Sequence, residues 1–189
     1  DDSMPEILKK NKIHSRLVSD HQHYWEDGGA NYHTRYTTWD CIRGQEGDPW
    51  KADLTKYDQS IHALGGIKDN RSKNEVLMQD MVNRSYIKRE EDFPQHRTYT
   101  SGIEFMDQNH NCDNWFLQIE TFDPHEPFFT PEVYQKLYEI EDFMEDWPPY
   151  RAVTESEEVV EKVRKKYFAL LSMCDAYLGK VLDKMDEYN

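Results

Sequence analysis

Cysteine is scarce in this sequence: Cys41, Cys112 and Cys174 are the only three in 189 residues. The number is odd and no CxxC or other zinc-type spacing occurs. Both facts argue against a disulfide framework and favour a reducing, cytoplasmic compartment. Long apolar runs are also missing. None approaches the roughly 20 residues needed to cross a bilayer, so no membrane partner is expected. Positive charge is short as well: 23 Lys and Arg against 37 Asp and Glu leave a net charge of −14. Such a surface repels nucleic acid and anionic lipid, so neither is expected as a partner. An anionic ligand would have to be held by a local site. The opening residues, Asp1-Asp2-Ser3-Met4-Pro5, contain no signal peptide. They read as a loop just before a helix, as though the chain begins inside a larger protein. No internal repeat or low-complexity tract is present.

What the sequence does have is aromatic side chains. They make up 13% of residues, although hydrophobic residues reach only 37% and charged residues 32%. The length suits one domain with a single core, and the aromatic content argues against disorder. Polar chains rich in Trp and Tyr often carry wet, aromatic-lined surfaces such as sugar-binding clefts. The plainer alternative is that each ring is an ordinary core or edge residue.

Local patterns predict an α/β chain. Ser3 can cap a helix with Pro5 in its first turn, ending near Asn11. Ile13 to Ser19 reads as a strand centred on Leu17 and Val18, and Tyr36 to Ile42 as a second. Glu26-Asp27-Gly28-Gly29 reads as a turn, Gly44 to Lys51 as a loop, and Asp53 to Ser72 as an extended surface excursion and candidate selectivity insert. Helices are predicted over Glu75 to Lys88, with Val76, Met78, Val82 and Tyr86 on one face, and over Gln95 to Asn109. Asn114 to Thr121 is the clearest strand, because Pro124 and Pro127 force the chain out of a sheet. Pro131 to Phe143 suggests a short helix. Thr154 with Glu157 suggests a capping box opening a long helix to about Glu187.

Two loops carry chemistry-bearing residues. Ser19 to Gly29 holds His21, His23 and three acidic residues. On a continuing strand the two histidines would face opposite ways, whereas in a loop they could converge. Histidine can donate to an anion, protonate a leaving oxygen near neutral pH, or bind a metal. The alternative is surface histidines in a polar turn. In Asp123-Pro124-His125-Glu126-Pro127 two prolines fix the backbone around one histidine, which sets its direction in advance. A rigid turn with an exposed histidine is the competing reading.

Several segments in order resemble the bacterial sulfatase family of the alkaline-phosphatase superfamily, close to phosphonate monoester hydrolases and arylsulfatases. Ile119 to Phe128 resembles its strand-to-loop His-Pro motif. His21 to Gly29, Tyr32 to Tyr36 and Arg43 to Trp50 resemble a bacterial branch of the family, and Tyr167 to Asp175 the helix before its second metal motif. The resemblance covers Met4 to about Asn189. It implies part of a mixed sheet flanked by helices, with 1–189 as the central part of one catalytic domain. It also implies hydrolysis of sulfate esters of carbohydrates or aryl groups, by a formylglycine nucleophile and a divalent cation, calcium in most relatives. Physically this is neutralisation of a dispersed anion plus acid catalysis. By resemblance His125 contacts sulfate or the leaving group, and His23 or His21 matches the histidine of a Lys-x-His pair. Asp20 stands near where the lysine is expected; Asp20, Tyr24 and Glu126 are expected to contact substrate.

The chain also departs from that pattern. No cysteine fits the Cys/Ser-x-Pro/Ala-x-Arg nucleophile motif, the early acidic metal pair is absent, and no Asp-His/Asn-Gly motif follows the last helix. No metal ligand is assigned here, and the nucleophile and metal are expected outside this chain. It reads as a fragment, inactive alone. The alternatives are a phosphodiester or phosphonate monoester hydrolase of the same superfamily, and a non-catalytic acidic carbohydrate-binding module.

Overall fold

The computed structural model describes residues 2–56, 71–140 and 146–188. The chain divides into two compact units, Asp1–Phe122 and Asp123–Asn189, which are described separately.

The first unit is built on three parallel strands: β1 (His14–Ser19), β2 (Thr38–Cys41) and β3 (Trp115–Glu120), in the order β2-β1-β3. The expected α/β fold with flanking helices is therefore present, and every described strand runs parallel. β1 lies centrally and reads as a buried strand should: Ser15, Leu17, Val18 and Ser19 are all buried. The edge strands are half-exposed. Arg16 of β1 pairs with Asp40 of β2, and Asp40 also accepts from the Ser101 hydroxyl at 2.9 Å. Helix α1 (Met4–Lys10) starts with a capping box: Glu6 accepts from both the Ser3 backbone and its hydroxyl.

Helix α2 (Arg71–Arg84) starts earlier and ends earlier than the apolar spacing predicts, so Tyr86 falls beyond it. Its buried face is mainly polar: Gln79, Asp80 and Asn83 lie beside Val82, whereas Val76 is exposed. Asn83 donates to the carbonyls of Asp48 (2.8 Å) and Glu46 (3.4 Å), and Gln79 donates to that of Lys51 (3.0 Å). The helix thus docks on loop 43–51 through backbone carbonyls, and apolar periodicity carries no trace of such contacts. Helix α3 (Pro94–Asn109) matches its expected span. It approaches β3 so closely at Gly102 that a Cβ there would lie 2.4 Å from Ile119 Cδ1. The stretch 57–70, most of the expected selectivity insert, lies outside the described residues, as does Phe143.

The second unit contains α4 (Glu132–Gln135), a 3-10 turn over Lys136–Tyr138, and the 31-residue α5 (Glu157–Glu187). Ala169, Leu170, Met173 and Tyr177 of α5 are buried, and Tyr138 reaches the Ser172 hydroxyl at 2.7 Å. The cap of α5 is Ser156, whose side chain accepts from Val159 N–H at 3.4 Å, and not Thr154 as expected. Thr154 is held by the preceding turn, its hydroxyl accepting from Arg151 at 2.5 Å. Among the described residues no helix is long and apolar enough to cross a membrane.

Candidate functional site

In a parallel sheet of order 2-1-3, loops leaving the central strand and its later neighbour part company at their carboxyl ends and leave a crevice there. Here that crevice lies between Ser19 of β1 and Glu120 of β3, which are register partners. The segment that follows β1 turns at once into a 3-10 turn over Gln22–Tyr24. Turning brings together the two histidines that a continuing strand would have separated. Their ring centroids are 5.3 Å apart and nearly perpendicular, and Phe122 packs against both, at 5.3 and 5.9 Å.

The two rings are held differently. Nδ1 of His21 lies 3.4 Å from Oε1 of Glu120, and among the described residues its Nε2 carries no hydrogen bond. A carboxylate on one imidazole nitrogen fixes ring and tautomer and leaves the other nitrogen for chemistry. His23 is engaged at both nitrogens, Nδ1 at 2.9 Å from Glu26 and Nε2 at 3.5 Å from Glu46.

Glu120 is the hub of this arrangement. It accepts from Gln118 Nε2 at 2.8 Å, and Gln118 in turn accepts from the Tyr36 hydroxyl at 2.5 Å. The Tyr24 hydroxyl also bonds Glu120. Burial, together with that carboxylate, holds the Tyr24 phenol well above its usual range. The Tyr24 ring lies beside the histidines, its centroid 4.5 Å from that of His21.

Asp20 has a different task from the substrate contact expected of it. It is fully buried. Its carboxylate accepts from Phe122 N–H at 2.6 Å and from Gln45 at 3.3 Å, which ties β1 to the residue after β3. Burial pushes its carboxyl up to about 7, against the opposing pull of those donors and the Thr98 hydroxyl. Asp20 positions the crevice from below and has no surface to offer a ligand.

Loop 43–50, singled out by resemblance, supplies Gln45 to Asp20 and Glu46 to His23. Asp48 braces it, accepting from Arg43 Nη2 at 2.5 Å and from Gly44 N–H at 2.7 Å. Gly44 has φ +119, and a Cβ there would lie 2.9 Å from the Trp50 ring, so the position demands glycine. Sequence reasoning missed Glu46 and Glu120 as partners of the histidines. The one available signal for Glu120 is its place as the last residue of a strand.

Next to the hub lies a cavity of ≈ 180 Å³ walled by Tyr24, Tyr32 and Tyr36, with Gln118, Glu120 and Arg35 supplying polar atoms. Beyond it, His33 is buried between Trp25 and Trp39, each with its ring centroid 4.6 Å away, and burial lowers its pKa.

In the second unit both X–Pro bonds of the 123–127 loop are cis. His125 is exposed, its Nδ1 2.7 Å from the Glu126 carbonyl oxygen and 3.6 Å from Glu126 Oε2. Glu126 is largely buried, and among the described residues its Oε1 has no hydrogen-bond partner. None of the three cysteines is in a disulfide, and burial pushes Cys41 up to about 11, far from a reactive thiolate. Among the described residues no group of three or more His, Cys, Asp or Glu side chains is arranged to hold a metal ion. The divalent cation implied by resemblance finds no ligand set there. The chain matches no protein-family model and no curated protein.

Proposed function

We propose that this chain is the central part of a sulfuric-ester hydrolase, and that His21 is its proton carrier. What supports the reading is the His21–Glu120 pair at the carboxyl ends of β1 and β3, with Nε2 of His21 unengaged among the described residues. The motif order that resembles sulfatases supplies the substrate class; the pair supplies the role. In this reaction the S–O bond to the leaving alcohol breaks. Imidazolium Nε2 gives its proton to the departing oxygen, and the sulfonyl group passes to a nucleophile supplied outside this chain. A proton carrier near neutral pH contributes roughly 10²–10⁴ in rate. His23, held at both nitrogens by carboxylates, keeps the His21 ring in place by edge contact. Three carboxylates, Glu26, Glu46 and Glu120, surround the pair and repel a sulfate group. The pair is accordingly assigned to the proton and not to the sulfate group.

The test begins with the intact mass of the natural polypeptide, expected above the 22.7 kDa of these 189 residues. Initial rates on an aryl sulfate and an aryl phosphodiester follow. Sulfate turnover should dominate, and His21→Ala should lower kcat at least about a hundredfold. Dominant phosphodiester cleavage would overturn the substrate assignment. An unchanged rate in His21→Ala would overturn the role of the pair. Glycan binding without hydrolysis of either ester would favour a carbohydrate-binding module.

A further inference from the structure

We propose that the tyrosine-walled cavity beside Glu120 binds an uncharged six-membered sugar ring. The inference goes beyond the hydrolase reading and needs no bond to be broken. Size comes first. A cavity of about 150 Å³ holds one benzene ring, so ≈ 180 Å³ suits a single pyranose and excludes a longer rigid ligand from full burial. Shape comes next. Tyr24 and Tyr32 stand edge to face, ring centroids 5.6 Å apart at 84°, forming two walls at a right angle. Aromatic walls of this kind pack against the C–H face of a sugar, and their rigidity keeps the entropy cost of binding low.

Charge and hydrogen bonding narrow the ligand class further. Arg35 lines the cavity and lies 3.4 Å from Glu6, which is not part of the lining. Glu120 faces the other side with Gln118 bonded to it. A cation meets Arg35 and an anion meets Glu120, in a chain of net charge −14; a neutral ligand meets neither penalty. The lining offers both donors, the Arg35 N–H groups and the Tyr32 hydroxyl, and acceptors, the Glu120 and Gln118 oxygens. Vicinal hydroxyls, each donor and acceptor at once, match such planar two-pronged groups. The Tyr36 and Tyr24 hydroxyls are already committed to Gln118 and Glu120. They hold the polar floor in place and leave the hydroxyl of the half-exposed Tyr32 to meet the ligand.

The experiment titrates the full chain, ¹⁵N-labelled, with methyl glucopyranoside, methyl galactopyranoside, phenol and tetramethylammonium, following amide shifts. One ring in a shallow site predicts a Kd of about 1–10 mM for at least one glycoside, with shifts centred on 32–36 and 118–120. Tyr32→Ala should weaken that binding at least about tenfold; Tyr32 is half-exposed, so this variant keeps the fold. Glu120→Gln should weaken it while the His21→Ala chain still binds, which separates this site from the proposed proton carrier. No shift with either glycoside, shifts elsewhere, an unaffected Tyr32→Ala chain, or saturation by phenol or tetramethylammonium alone would each overturn the proposal. Failure of sulfate hydrolysis would leave it standing.

Discussion

Asp20 is the residue whose position most constrains the chain. Its carboxylate ties the end of β1 to the backbone after β3, yet it sits wholly out of water. Burial raises its pKa from 3.8 to about 7, so between those values the folded chain keeps a proton that the unfolded chain has released. Below pH 4 both forms are protonated and Asp20 contributes nothing. As pH rises through this window stability falls, and above about 7 the full penalty stands, roughly 4 kcal/mol from the size of the shift. Asp20→Asn removes the charge and keeps the shape, since the Gln45 amide can turn over to match. Urea unfolding at pH 4, 6 and 8 should show the variant close to the natural chain at pH 4 and more stable at pH 8. A variant less stable at pH 8 would mean that the ionised carboxylate, held by its donors, is worth more than its burial costs.

The same residue shows what sequence alone conveys at this scale. That His21 and His23 share a loop was legible, and so was the chance of their converging. Their partners were not. Glu120 lies 99 residues from His21, and Asp20 meets Phe122 across 102; only parallel pairing of β1 with β3 brings such groups together. Asp20 next to two histidines looks like a ligand contact in sequence. Its burial follows from its position at the end of a central strand, under loop 43–50.

At the scale of elements, local signals worked where local physics decides. β1 is legible because a central parallel strand is apolar at its centre, and β3 because prolines end it. Helix α2 was misplaced because Gln79 and Asn83 face inward to reach backbone carbonyls, and a search for apolar periodicity reads such a face as solvent-exposed. Thr154 and Ser156 are equally good caps by type; Arg151 draws Thr154 into the preceding turn and leaves Ser156 to cap α5. Helix α3 offers a direct test of packing. Gly102→Ala gains about 1 kcal/mol of helix propensity. It also drives a methyl to 2.4–2.5 Å from the Ile119 side chain, an overlap that costs about 1–3 kcal/mol in a packed site. Because Ile119 is β-branched and stiff, the overlap should win, and the variant should lose about 1 kcal/mol by chemical denaturation. Introducing Ile119→Ala alongside makes room for the methyl. The double-mutant cycle should therefore show less destabilisation than the sum of the two single changes. Simple additivity would mean that α3 and β3 separate freely at Gly102.

At the scale of the whole molecule, a net charge of −14 on 189 residues acts against compactness. Surface carboxylates repel one another over distances comparable to the Debye length, about 10 Å at 0.1 M salt and 3 Å at 1 M. Raising NaCl from 0.05 to 0.5 M at pH 7.5 should therefore raise Tm by a few degrees, as screening relieves the folded chain more than the expanded one. Acidifying toward the pI of about 4.9 relieves the same repulsion, so a gain in stability at low pH has two sources that must be separated. Salt separates them, because ions screen the surface but do not reach Asp20. In 0.5 M NaCl the surface part of the pH dependence should shrink and the Asp20 part persist, so Asp20→Asn should flatten the remaining slope between pH 4 and 7. If high salt alone abolishes the slope, the repulsion is entirely at the surface, and the buried carboxylate at the foot of the histidine crevice is held without cost.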